Sequence, residues 1–425
     1  MNILVIGGGG REHALVWKLS QSPKAKKIFC APGNAGISKQ AECVDIAATD
    51  ITKLLQFAKE NKIDLTVVGP EAALAAGIVD AFKKEPLPIF GPAKEAALLE
   101  SSKVYTKEFC SRYKIPQATY KIFDEPQEAK EYAEKHSYPL VIKADGLASG
   151  KGVVVCQNKE EAFQTIEKIL VERYFGEAGH RVVIEDFLQG EEVSFIAVVD
   201  GNHILPLASS QDHKRLLDGD QGPNTGGMGA TSPSPLITAT VYEKIMEKIM
   251  LPAVHGMVTE GFPFVGFLYA GLMIVQGEPK LLEFNVRLGD PETQVILPRL
   301  KTDLVEILQA ALQGRLNEVE PSWSTLAGAC VVMAAQGYPD KYDTGLSVQG
   351  LKEAENIPDL FVFHAGTQKK NEAVVTAGGR VFGVTALGKD LNEALARAYE
   401  GVKKISWRGC YYRRDIGKYD STIVR

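Results

Sequence analysis

The chain has 425 residues, of which 45% are hydrophobic and 24% charged, with a formal net charge of -5. That balance belongs to a globular protein of roughly two to four domains with cores of ordinary size. It argues against a broad basic surface for nucleic acid, although a local cationic pocket for phosphates remains compatible with it.

No stretch approaches the ~20 apolar residues of a membrane helix. The opening NILVI run is too short for a signal peptide and lacks a basic flank and a cleavage site. The six cysteines (Cys30, Cys43, Cys110, Cys156, Cys330, Cys410) form no C-x-x-C pair, and none has a histidine at metal-ligand spacing. Most sit in apolar segments and are expected to be buried thiols of a cytoplasmic protein.

In chain order, residues 2–6 read as a buried parallel strand, 7–10 as a tight turn and 12–19 as a helix. A strand at 27–30, a helix at 51–61 and a strand at 65–68 continue the alternation. This predicts an α/β fold that opens with a doubly wound parallel sheet. From Ser101 the pattern changes. A helix at 103–113 precedes a strand at 120–123, a helix at 127–135, a glycine-tipped strand pair in PLVIKADGLASGKGVVVC, a helix at 159–170 and a strand at 181–187. Longer strands follow in VSFIAVVD, GFLYAGLMIV and PKLLEFNV, around a Gly/Pro-rich loop at 218–235. The expected domains are 1–102; 103–119 with 191–325; a small lid unit at 120–190; and a C-terminal αβ cap at 326–425.

The Gly7–Gly10 turn suits the approach of a phosphate to backbone N–H groups and a helix N-terminus. As a dinucleotide fingerprint it fails, because Glu12 takes the third glycine position and no acid ends the second strand. The Lys143–Gly152 loop is not a P-loop either: Gly146 and Gly150 are four apart, and Gly152 follows Lys151. Flanked by strands, it reads as a lid hairpin able to close over a triphosphate. Leu281–Thr293, LLEFNVRLGDPET, carries the sharpest signal. Alternation along a strand puts Glu283, Asn285 and Arg287 on one face of an otherwise apolar segment. Two oxygen donors joined by nucleotide phosphates make a magnesium site, and Arg287 offers a bidentate clamp for a phosphate or carboxylate. The polar loops SQDHKR (210–215) and DQGPNTGGMG (220–229) are expected to touch substrate. His213, with polar neighbours, is not expected in a core.

Taken in this order, NILVIGGGGREHAL, APGNAG (31–36), VVGPEAALAAGIVD (67–80), KADGLASGKGV (143–153), SQDHKR, GPNTGGMGA (222–230) and LEFNVRLGDPETQ (282–294) resemble the ATP-grasp superfamily. Within it they are most similar to the phosphoribosylamine–glycine ligase family, along essentially the whole chain. The resemblance implies an ATP-grasp fold and ATP-dependent ligation of glycine to 5-phosphoribosylamine through glycyl phosphate. The implied cofactors are ATP and Mg2+ (or Mn2+). Glu283 and Asn285 would hold the metal. Lys103, Lys143, Gly150, Lys151, Glu185, Phe187, Leu188, Glu191 and Glu192 would surround the nucleotide, with Glu185 and Leu188 beside adenine. Arg287, Asp212 and Lys214 would serve catalysis. Gly9, Gly10, Asn34, Gly36, Asn224, Thr225, Gly226, Gly227 and Asp290 would line the substrate side. It also implies a cytoplasmic enzyme, monomeric or weakly dimeric, with no nucleic-acid or membrane partner. The competing readings are a biotin-carboxylase-like ligase, a non-catalytic nucleotide sensor and a dehydrogenase.

Overall fold

A computed structural model describes residues 1–148 and 152–418. Strand β1 (Asn2–Gly7) is buried on both faces: Leu4 and Ile6 enter one core, while Ile3 and Val5 enter another. Such a continuous apolar run is what a parallel sheet covered on both sides requires. With β2 (Lys27–Pro32), β3 (Glu42–Cys43), β4 (Leu65–Val68) and β5 (Ile89–Phe90) it forms a parallel sheet in the order β3-β2-β1-β4-β5. Helices α1 (Gly10–Leu19), α2 (Ile51–Glu60) and α3 (Glu71–Ala75) follow its strands.

The strands β6 (Tyr120–Phe123), β7 (Leu140–Ala144), β8 (Val153–Cys156) and β9 (Val182–Asp186) make an antiparallel sheet in the order β6-β9-β7-β8, with a core of its own around Ile142, Ile166 and Ile184. The glycine-rich loop lies between β7 and β8, as a hairpin requires. Its tip, Gly150 and Lys151, falls outside the described residues.

A third sheet runs β11-β10-β16-β17, from β10 (Glu191–Asp200), β11 (Ile204–Pro206), β16 (Val265–Val275) and β17 (Glu278–Asn285), all antiparallel. Asn285 of β17 pairs with Tyr269 and Glu283 with Gly271, beside an irregularity at Gly271/Leu272. Phe284, between the two, is 1% exposed and points into the core with Phe195 and Leu272. Phe284→Ala is expected to cost about 3–5 kcal/mol. A fall in unfolding temperature should show it; an unchanged melt would mean that this side of the strand is not what holds it.

The last sheet departs from expectation. It contains β18 (Ala327–Ala335), β19 (Leu360–His364) and β22 (Arg380–Gly388), while β20 (Thr367–Lys370) and β21 (Ala373–Thr376) form a separate hairpin; β15 (Gly229–Ser232) also joins it next to β18, with β12 (Gln211–Asp212) beyond β15. The C-terminal sheet therefore crosses the expected break at 325/326 and draws two strands from the polar loops of the central segment. Between those strands, β13 (Arg215–Leu217) and β14 (Gln221–Asn224) form a separate hairpin. Cys30, Cys110, Cys156 and Cys330 are buried free thiols, but Cys43 is exposed and Cys410 only half-buried.

Candidate active site

A cavity of about 920 Å³ lies where these sheets meet. Its apolar end is formed by Val141, Val155, Leu188, Met273 and Leu282. At this end Lys143, on β7, donates to Leu282 O (2.9 Å) and pairs with Glu185 Oε1 (2.9 Å). Glu185, 3% exposed, also pairs with Lys107 (3.1 Å). The carboxylate expected beside adenine is therefore engaged by two lysines, and it sets the position of Lys143. Lys107, itself 3% exposed, carried no sequence signal. Its pKa is lowered by burial and by the Lys143 charge, against the pull of Glu185. The root of the lid hairpin is tied to the helix that begins at Lys103: Ser102 Oγ and Val104 N–H both donate to Asp145 Oδ1 (2.8 and 3.1 Å).

Glu283 and Asn285 also line the cavity. Burial alone would push the Glu283 carboxyl up. The Lys214, Lys103, Lys143 and Arg287 charges outweigh it and hold the group down at about 2. Lys214 lies 4.0 Å from Glu283 and also pairs closely with Glu192. Arg287 follows the end of β17 rather than lying within it. It still donates to Asn285 Oδ1 (3.2 Å), but its guanidinium is held by Glu100 (3.0 Å) and Glu71 (3.4 Å). The clamp expected to be free for substrate is thus braced by two acids. Glu100 also accepts from Val286 N–H (2.7 Å).

Asp212 lines the same space. Its Oδ1 is buried without a hydrogen-bond partner. Burial and the Glu292 charge raise its pKa well above the carboxylate range, against Lys214. Glu292, 2% exposed, accepts from Ser194 Oγ (2.9 Å), which also meets Tyr269 OH (2.9 Å). His213 corrects the sequence expectation: it is 6% exposed, and its Nε2 accepts from Gly417 N–H (3.0 Å). Burial and Arg413 lower its pKa to about 4. Its neighbours along the chain are polar, but in space it is covered by the C-terminal residues.

Phe187, Glu191, Glu192, Asn224, Thr225, Gly226 and Asp290 line the cavity; Gly9, Gly10, Asn34, Gly36 and Gly227 do not. Two N–H groups at and just after the glycine turn are engaged by the chain's own acids. Gly9 N–H donates to Glu12 Oε2 (2.6 Å), and Arg11 N–H to Asp290 Oδ2 (3.3 Å) at the N-terminus of α1. Glu12 sits where a side chain on Gly7 (φ +121°) or Gly69 would have to be. A carboxylate beside the turn is a poor neighbour for the anionic pyrophosphate of a dinucleotide, which counts against the dehydrogenase reading. Asn34 is a brace: its Nδ2 donates to Gly8 O (2.9 Å) and His364 O (2.8 Å), and its Oδ1 accepts from Gly36 and Ile37 N–H.

Three family descriptions match in sequence: the N domain of phosphoribosylglycinamide synthetase over residues 1–100, its ATP-grasp (A) domain over 101–293 and its C domain over 328–419. The chain belongs to the phosphoribosylamine–glycine ligase family. A relative of that name from Vibrio vulnificus is 52% identical over 98% of both chains. A crystal structure of the ligase from Thermotoga maritima is 37% identical, with a TM-score of 0.85, over 98% of this chain and 100% of that one. The biotin carboxylase domain of a 2-oxoglutarate carboxylase from Hydrogenobacter thermophilus, solved with MgADP and bicarbonate, superposes with a TM-score of 0.73 over 97% and 91% of the two chains. At 16% identity it shares the ATP-grasp fold only. No described helix is long and apolar enough to cross a membrane.

Proposed function

We propose that this chain joins glycine to 5-phosphoribosylamine at the expense of ATP, yielding glycinamide ribonucleotide, ADP and phosphate in purine synthesis. The observation that carries the reading is Glu283 and Asn285 side by side on β17, the acid kept ionised by surrounding cations. No group of three or more acid, histidine or cysteine ligands exists among the described residues. Two protein oxygens suit a magnesium ion that takes its remaining ligands from nucleotide phosphates and water, and manganese accepts the same donors. When bound, the ion neutralises charge on the transferring phosphoryl group.

The chain's own groups do the rest. Lys103 and Lys143 face the phosphates, and the apolar end of the cavity takes the adenine. A carboxylate oxygen of glycine attacks the γ-phosphorus; the bond to the β,γ-bridging oxygen breaks, and ADP leaves with the electron pair. The phosphoribosylamine nitrogen then adds to the acyl carbon. The C–O bond to phosphate breaks, inorganic phosphate departs, and the nitrogen gives up a proton. The raised basicity of Asp212 and its unpartnered oxygen suit it to accept that proton. Lys214 balances charge between Glu192 and Glu283. The Asn224–Gly227 loop and Asp290 border the acceptor. The family's place in purine synthesis supports a cytoplasmic enzyme; we take it as monomeric or weakly dimeric, and sedimentation velocity would show a larger assembly.

The deciding assay measures ADP formation that requires both glycine and phosphoribosylamine. Turnover with bicarbonate in place of glycine would sink the reading. Because the Asp212 pKa is raised, kcat/KM for the amine should fall as pH drops through that group's titration, and Asp212→Asn should remove this acid limb together with most of the rate. An unchanged limb in the variant would assign it to another group.

A further inference from the structure

Arg380 reaches the site from the C-terminal sheet, where it opens β22. Its Nη1 donates to Gly226 O (2.6 Å) and Asp290 O (2.7 Å), with Gly227 O at 3.4 Å, and lies 3.5 Å from Asp290 Oδ1. From the other side, Gly226 N–H donates to Tyr338 OH (3.0 Å). The backbone of one residue of the polar loop, Gly226, is therefore gripped on its N–H and its carbonyl by two residues of the cap. The same guanidinium holds the loop that follows the metal strand.

Two glycines show that this fit is close. A Cβ on Gly226 would lie 2.9 Å from Arg380 Cζ, and a Cβ on Gly379 would run into the Tyr338 ring. The grip is also relayed inward. Thr225 donates through both N–H and Oγ1 to Lys214 O (2.8 Å each) and accepts from Gly227 N–H (3.0 Å). Lys214 in turn carries the cation beside Glu283. A charge-assisted hydrogen bond is strong and directional, so a guanidinium bonded to both loops fixes their separation.

We infer that Arg380, with Tyr338, is a positioning residue for the second half of the reaction: it sets the 225–227 turn against the Asp290 loop, so that the acceptor amine meets the acyl phosphate. The inference rests on the proposed ligase reading. The residues assigned to the nucleotide and the metal lie on other elements, among them β7 and β17, and are reached from Arg380 only through the Thr225–Lys214 relay, so glycyl-phosphate formation depends on the clamp less than the amine step does.

Arg380→Met keeps an unbranched apolar stem and removes the guanidinium donors; Arg380→Lys restores a charge; Tyr338→Phe removes only the hydroxyl. All are made in the full chain and checked for melting temperature. Two readouts are compared: kcat/KM for phosphoribosylamine, and glycyl phosphate formed without the amine and trapped by hydroxylamine as the hydroxamate. Arg380→Met should lower the first on the order of 30-fold, the scale of losing a charge-assisted hydrogen bond, and change the second by no more than about threefold. Arg380→Lys should recover part of the loss, and Tyr338→Phe should show a smaller loss of the same kind. Equal losses in both readouts, or amine kinetics like the parent's in both Arg380→Met and Tyr338→Phe, would overturn the assignment. If Arg380→Met does not fold, Tyr338→Phe decides by the same split. A parent enzyme that traps glycyl phosphate but ignores phosphoribosylamine would instead count against the ligase reading.

Discussion

Glu283→Gln is expected to lower kcat by about a hundredfold or more while nucleotide affinity falls only a few-fold, the scale seen when one preorganised electrostatic contact to a transition state is removed. The substitution keeps the shape of a side chain that packs 3.4 Å from where a Cβ on Gly271 would stand, so the strand should not move. What changes is charge. Of the two metal donors proposed here, only Glu283 carries any, and Lys214, Lys103, Lys143 and Arg287 are arranged around it. The lysines assigned to the phosphates are unchanged in the variant, which is why binding should suffer less than turnover. Titrating magnesium in steady-state assays, with calorimetric binding of a non-hydrolysable nucleotide alongside, separates the two effects. Parent-like turnover at saturating magnesium would remove Glu283 from the metal site. The pH dependence carries a sign as well. With its folded pKa depressed to about 2, Glu283 contributes stability above the ordinary glutamate range and loses it as pH falls toward 2. An activity loss on the acid side well above pH 2 therefore belongs to another group, and the raised carboxyl of Asp212 is the one in place for it.

Much of this site was legible along the chain because its signals are local. A carboxylate and a carboxamide two residues apart in an apolar strand can be read without a partner, and Glu283 and Asn285 do lie at the cavity. Strands β1 and β4 were legible for a similar reason: short, wholly apolar runs between turns leave few alternatives to a covered parallel sheet. What could not be read is pairing at a distance. Glu71 braces Arg287 from 216 residues away, and Arg380 ties to Asp290 across 90. Nothing in the neighbourhood of Glu71, Glu100, Lys107 or Arg380 announces the partner. The same limit applies to β12 and β15, two- and four-residue strands whose place in the C-terminal sheet depends on β18, about a hundred residues later. His213 is buried against Gly417, and polar neighbours in sequence say little about what a distant segment will cover. At the glycine turn, the Gly9 N–H is taken by Glu12 and the Arg11 N–H just beyond it by Asp290, 279 residues away, and the local sequence does not announce that second partner.

Glu185→Gln should be the most destabilising polar substitution in the lid, and Lys107→Met should relieve it. Glu185 is the shared counter-charge of Lys107 and Lys143, and all three side chains are at most 6% exposed. Removing one partner of a buried ion pair strands the other charge, at a cost of about 3–5 kcal/mol; here two lysines lose the same carboxylate. The penalty depends on pH. The Lys107 pKa is already lowered in the folded chain, and without Glu185 it must fall further. The folded state then binds fewer protons than the unfolded one, so the stability of the variant rises as pH increases toward the unfolded lysine value, about 10.4, and its deficit is worst near neutrality. Thermal unfolding between pH 7 and 10 tests this: the gap between variant and parent should narrow at high pH. In Glu185→Gln/Lys107→Met one stranded cation is gone, and an apolar side chain of similar length fills its place between the helix at 103–112 and β9, so stability should recover substantially. Nucleotide affinity should recover less, because Lys143 still lacks the carboxylate that holds its ammonium toward the cavity. Independent, additive effects of the two substitutions would show that the three residues do not act as one unit.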